Sequence, residues 1–204
     1  MPACKKCLLL ASVFLFLFPF SNQTFALGEA VSELVDKVGE SLGIGYSAKV
    51  IDQNADIAIK KLFQNSPAAA KLSKTAKAIL IYPKILKAGM GLGGHHGEGA
   101  LRENGKTIAY FNTIAGSYGL QIGAQSFGYA MFFMDEKALE HLTKSEGWEV
   151  GVGPSVVMVD DGMAKTLTTT TAKDSIYVFT FNQEGLMAGA GIQGSKITRI
   201  TPKK

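Results

Sequence analysis

The chain has 204 residues, with 21 basic and 17 acidic side chains, 23 glycines and two cysteines. That length suits one domain with a sizeable core, and the net charge is ordinary. Both cysteines, Cys4 and Cys7, lie within the first 26 residues. Beyond them there is no thiol for a disulfide, a thiolate metal ligand or a cysteine nucleophile.

The first 26 residues read as an export signal. Lys5 and Lys6 precede an apolar run from Leu8 to Phe20, broken only by Ser12 and Pro19, and a short polar stretch leads to Thr24-Phe25-Ala26. A positive start, an apolar core and small residues before a cut site make a secretory signal peptide. The run is shorter than the about 20 residues that a spanning helix needs. Cleavage after Ala26 leaves residues 27–204 as a single domain bound for the periplasm or the extracellular space, where a position peripheral to a membrane is open to it. A lipoprotein signal places its cysteine just after the apolar core, whereas Cys4 and Cys7 precede it, so a lipidated N-terminus is not expected.

The N-terminal third of the mature chain reads as helix. Val31, Leu34, Val35, Val38 and Leu42 recur at spacings of three and four, and Gly43 and Gly45 end that helix. A second helix is expected from Ser47 to about Gln64, with Ile51, Ala55, Ala58 and Leu62 as its stripe. Ser66-Pro67 supplies an N-cap and a first-turn proline for a third helix reaching Thr75, on which Lys71, Lys74 and Lys77 would share one arc.

At Ala78 the pattern changes. Ala78 to Tyr82 is an apolar run closed by Pro83, as for a buried strand. Further strands are expected over 107–113, 119–134, 148–159, 167–171, 175–181 and 186–200. A helix near 135–144 interrupts them, with Ala138, Leu139 and Leu142 apolar. Turn signals stand at Glu103-Asn104-Gly105, Asp160-Asp161-Gly162, Lys173-Asp174 and Asn182-Gln183-Glu184-Gly185. Gly89, Gly91 and Gly93 alternate, as do Gly97 and Gly99, Gly151 and Gly153, and Gly189 and Gly191. Alternating strand residues share a face, so several strands would present bare backbone on one side, which permits sharp coiling or close approach of a second layer. The expected class is α+β, with N-terminal helices (29–77) packed on a strongly bent, glycine-rich, mostly antiparallel sheet or small barrel (78–200).

Charge is unevenly placed. From Ile57 to Gly97 there is no Asp or Glu, while Lys60, Lys61, Lys71, Lys74, Lys77, Lys84 and Lys87 all fall there. That asymmetry points to an anionic surface, and these seven lysines are the candidate lipid-binding residues; a solvated face that keeps the protein soluble is the simpler alternative.

Catalytic and cofactor patterns are weak. Gly89-Met90-Gly91-Leu92-Gly93-Gly94 matches the dinucleotide fingerprint by letter, but no helix start follows and residues 109–113, about 20 positions on, hold no acid. His96 and Glu98 would share a strand face with His95 opposite, two ligands where a metal site needs three or four. Ser126, Ser155 and Ser195 lack a nucleophile elbow, and Asp160-Asp161 sits in a turn signal. No catalytic residue, metal or cofactor is expected, and neither nucleotide nor nucleic acid is expected as a partner.

Several segments carry a resemblance. Ile79 to Lys84 with Lys87 to Gly94, then Gly97-Glu98-Gly99, then Ala115 to Gln125, resemble the SYLF-domain family of lipid- and actin-binding modules. Phe132-Phe133-Met134 with Lys137-Ala138-Leu139, and Gly185 to Gly189, continue the likeness, which spans about residues 45–198. The resemblance implies a lipid-binding module without a fixed catalytic set. Taken with the leader, it suggests an exported, non-enzymatic protein of the cell envelope that binds an anionic lipid or membrane surface. A protein-interaction or structural role in the envelope, with a protein partner, and carriage of one apolar ligand are the alternatives.

Overall fold

The computed structural model describes residues 45–203, apart from 146, 151, 160 and 168–171. The leader, the helix expected at 29–42 and most of the strand expected at 167–171 lie outside the described residues.

Helix α1 (Ala48–Asn65) buries Ile51, Ala55, Ala58 and Leu62, the stripe its spacing predicts. Helix α2 (Pro67–Leu72) starts as its sequence requires: Ser66 Oγ accepts the Ala69 N–H at 3.3 Å and Pro67 occupies the first turn. It stops at Leu72, short of Thr75. There the hydroxyls of Ser73 and Thr75 donate to the carbonyls of Ala70 and Leu72, a local alternative to further helix. Lys77 is already committed to the sheet, its N–H bonding the Phe133 carbonyl at 2.7 Å. The single arc expected for Lys71, Lys74 and Lys77 therefore does not form.

Three long antiparallel strands make the sheet: β1 (Ala78–Glu103), β2 (Lys106–Phe133) and β5 (Ile176–Ile200), in the order β1-β2-β5. Two short ones join β5, β3 (Trp148–Glu149) antiparallel and β4 (Val156–Val159) parallel. Helix α3 (Glu136–Lys144) follows β2, capped by Asp135, whose carboxylate accepts the Ala138 N–H at 2.8 Å. β1 and β2 are joined by the two-residue turn Asn104-Gly105, with φ of 49° and 79°. Positive φ at both positions is the turn that matches strand twist, and Asn-Gly is its preferred sequence.

Two expected strand ends are instead irregularities within one strand. Pro83 lies where the β1–β2 register shifts between Tyr82 and Ile85, so its missing N–H falls at a bulge. Asn182 (φ 52°) and Gly185 (φ 88°) lie inside β5, opposite the shift between Ser126 and Gly128 of β2. Of the turn expected at Asp160-Asp161-Gly162, Asp160 lies outside the described residues, and Asp161 and Gly162 open a short helix, α4 (Asp161–Thr166). Leu167, directly after it, is buried in the cluster that holds Ala68, Ala69 and Leu72 of α2, and that tertiary packing overrides the local turn preference.

The sheet is strongly curled because β1 folds back on itself around Gly91 (φ 76°), where its register with β2 shifts between Met90 and Leu92. The arms on either side then meet face to face. A Cβ on Gly93 would stand 3.0 Å from Gly89 Cα, and one on Gly99 would overlap the Ile81 carbonyl oxygen. The alternating glycines are therefore the surface along which two arms of one sheet approach.

Two apolar clusters result. Leu80, Tyr82, Leu101, Phe111, Met131, Phe133 and Trp148 fill the inside of the curl, closed by Leu139 and Leu142 of α3. Ile79, Ile81, Ala100, Phe132 and Phe179 face outward beneath α1 and α2. This double covering explains why Ala78 to Tyr82 are all buried and read as an unbroken apolar run. The architecture is α+β with helices on a strongly curled, glycine-rich, mostly antiparallel sheet, as expected from the sequence.

Candidate functional site

Folding distributes the seven lysines over several elements. Lys60 and Lys61 are exposed on α1, Lys71 on α2 and Lys74 in the turn after it. Lys77 and Lys84 are exposed before and within β1, while Lys87 is half-buried. Lys74 and Lys77 come together in a cleft of about 300 Å³ lined also by Ile59 and Phe63 of α1. Lys84 lines a second cleft, of about 240 Å³, with Tyr46, Ile57 and Glu98. Of the six exposed lysines, Lys77 alone reaches a carboxylate among the described residues, Glu136 at 3.9 Å, and both partners are well exposed. A pair that long and that wet neutralises little.

Two acids of α1 are engaged by the sheet. Asp52 and Asp56 are one turn apart on α1, and both face Arg102 of β1. Arg102 Nη2 lies 2.9 Å from Asp56 Oδ1 and 3.6 Å from Asp52 Oδ1, and it donates to the Asp52 carbonyl at 3.1 Å. Arg102 Nη1 donates to the Gly105 carbonyl at 3.2 Å. The Asp52 carboxylate also accepts the hydroxyls of Thr107 at 2.6 Å and Tyr110 at 2.9 Å. Burial first, and then the hydrogen bond to Asp52, raise the Tyr110 hydroxyl above its ordinary pKa. This latch fastens α1 to the hairpin that ends in Asn104-Gly105. The sequence offers only the Asp52/Asp56 spacing as a hint, because the partners of Asp52 lie 50 or more residues away.

The histidines take separate roles. His95 points into the curl, buried, with Nε2 3.3 Å from Thr113 Oγ1 and its ring edge-on to Phe127. Burial, then the charges of Lys87 and His96, lower its pKa to about 4. Lys87 thus acts electrostatically on the inner side of the sheet. Glu98 accepts the Tyr46 N–H at 2.9 Å, and His141 stacks edge-on against Trp148 from α3. Among the described residues no three of His, Cys, Asp and Glu gather as metal ligands. Gly89 to Gly94 lie wholly within β1, which continues to Glu103, so the helix N-terminus that a dinucleotide fingerprint needs does not follow them. No described helix is long and apolar enough to cross a membrane.

These features define an α+β module whose accessible surface offers lysine-bearing clefts beside a curled sheet. Residues 114–201, from Ile114 of β2 to just past the end of β5, match the family described as Ysc84, Las17-binding protein actin regulator. That match is consistent with the SYLF-family resemblance carried by the residues at 79–94 and 115–125. A comparison with curated proteins gives no match.

Proposed function

We propose that this chain is an exported, non-enzymatic protein of the cell envelope that binds lipid or a membrane surface peripherally. The observation that carries this reading is the lysine window: six of its lysines are exposed, and five of those six have no ion pair among the described residues. Near an anionic surface each such lysine contributes about 1 kcal/mol, falling off within a Debye length. The likeness of residues 114–201 to that family supports the same reading, and the leader at residues 1–26 supports export. The processed protein should co-sediment with vesicles containing anionic phospholipid, and less so at high salt. Lys84→Glu with Lys87→Glu should weaken that binding. Equal binding to neutral vesicles, or no effect of reversing all seven lysines, would overturn the electrostatic reading. Intact mass after expression in an exporting host tests cleavage after Ala26; a mass retaining the leader would refute it.

A protein partner is the second reading. The matched family is described by binding to Las17 and by actin regulation, and a stable co-purifying protein without vesicle binding would favour that role. Carriage of one apolar ligand has less support: the larger cleft, at about 300 Å³, is at the lower limit for small-molecule sites. Lipid extracted from native protein and weighed by mass spectrometry would separate carriage from surface binding.

A further inference from the structure

We infer that the domain docks on an anionic bilayer through the folded end of its sheet, and that apolar side chains there enter the head-group region. This inference rests on the lipid-binding reading and adds to it a face, an orientation and a depth. Six large apolar side chains stand exposed around the fold-back: Leu86 at 59%, Met90 at 78%, Leu92 at 66%, Tyr118 at 73%, Ile122 at 63% and Leu186 at 88%. They are adjacent in the sheet as well as in exposure. Met90 pairs with Ile122 and Leu92 with Tyr118 across β1 and β2, while Leu186 of β5 pairs with Ala124, the neighbour of Ala88. One contiguous apolar surface, rather than scattered single residues, is what marks an interaction site.

Charge selects the occupant. No carboxylate occurs in β1 before Glu98 or anywhere in β2, and Glu184 is the sole acid of β5. Lys84 and Lys87 flank Leu86 on β1, the first exposed and the second half-buried. An apolar end backed by lysines and almost free of acids complements an anionic membrane surface. A second copy would bring the same lysines against these. Backbone sets the depth. The ladder is interrupted between Met90 and Leu92, and unpaired N–H and C=O groups are not tolerated in hydrocarbon. Insertion therefore stops at the interface, where the amphipathic ring of Tyr118 is at home.

The test uses the processed protein, in which an introduced cysteine is unique; if the leader is retained, Cys4→Ser and Cys7→Ser keep it so. Leu186→Cys, and separately Glu140→Cys on α3 as a reference at the base of the curl, carry an environment-sensitive fluorophore. Both are mixed with vesicles of phosphatidylcholine alone or with phosphatidylglycerol added. The label at 186 should shift to the blue and be quenched by doxyl-lipid in the anionic vesicles, while the label at 140 stays in water. Met90→Asp with Leu186→Asp should weaken vesicle affinity at least tenfold, about 1.4 kcal/mol, with the urea midpoint unchanged. If the protein binds vesicles while the label at 186 remains in water, or if the double variant binds as tightly as wild type, the docking face is wrong and the lipid-binding reading survives. If wild type binds neither vesicle, both fall. A label at 186 already shielded without lipid, in a protein that sediments as a dimer, assigns this end to a second copy and also overturns the inference.

Discussion

Replacing Asp52 by alanine should loosen α1 from the sheet, and the structure sets the scale of the loss. The carboxylate accepts two hydroxyl hydrogen bonds, from Thr107 and Tyr110, and lies 3.6 Å from Arg102 Nη2. Hydrogen bonds to a charged group contribute about 1.5–3 kcal/mol each when shielded. Here the Asp52 side chain is 35% exposed, so water offers the abandoned hydroxyls partial compensation and the ion pair is screened. The net loss for Asp52→Ala should be about 2 kcal/mol, or a fall in Tm of roughly 4–8 °C for a domain of this size. Asp56→Ala should cost less than about 1 kcal/mol, although its distance to Arg102 is shorter, because that carboxylate is 65% exposed. Urea unfolding followed by the fluorescence of Trp148, the single tryptophan and a buried one, measures all of this. A cycle with Tyr110→Phe should give a coupling of about 1 kcal/mol. A loss below about 0.5 kcal/mol for Asp52→Ala, or a larger loss for Asp56→Ala, would refute the assignment of Asp52 as the centre of the latch.

Three further outcomes are expected. His95 has a folded pKa of about 4 against about 6.5 unfolded, so between those values the unfolded state binds more protons. Stability is therefore fully present above about pH 6.5 and falls as pH drops toward 4, by on the order of 3 kcal/mol in total. Urea unfolding at pH 7.5 and 5.0 should show this decline in wild type and a flatter response in His95→Asn; equal declines would show that His95 does not carry it. Gly99→Ala places a Cβ against the Ile81 carbonyl oxygen, whereas Gly116→Ala meets nothing within 4 Å. The first should cost about 2–3 kcal/mol by overpacking and the second less than about 0.5, and similar midpoints for the two would contradict the close approach of the arms. Removing the α3 cap by Asp135→Ala should cost about 1 kcal/mol, read from the same denaturation curves.

What was legible in the sequence was local. The stripe Ile51/Ala55/Ala58/Leu62, the cap and proline of Ser66-Pro67, the Asp135 cap and the Asn104-Gly105 turn each follow from residues within a few positions of one another. The alternating glycines correctly implied a bent sheet, though not which arms meet. What was not legible depends on partners distant in the chain. Pro83 and Asn182 to Gly185 look like strand ends, yet the ladder passes through both because bulges absorb them. Helix α4 is held by Leu167 packing with α2, about 100 residues away in sequence. For the candidate site, the acid-free stretch was visible as a charge pattern. Its partition into one cleft with Lys74 and Lys77, another with Lys84, and an inward-acting Lys87 was not, because α1 lies against both clefts.

The taper of the curl links the core to the exposed end. At the base the inner face is filled by Tyr82, Phe133 and Trp148. Further along it holds His95, Thr113 and Ser117, and toward the fold-back it narrows to Gly93 against Gly89, where a Cβ has no room. Side-chain volume thus runs out before the strands do. The outer layer ends early as well: Tyr46 and Ile51, at the start of α1, line the cleft with Pro83 and Lys84, and no described helix covers Leu86 to Leu92, of which Leu86, Met90 and Leu92 stand exposed. Apolar side chains beyond that point pack on little among the described residues, so polar substitutions there should leave folding intact. Exposing such a cluster carries a cost in aggregation. Its position at one end of the molecule, next to lysines, suits the proposed membrane contact and answers no requirement of the core.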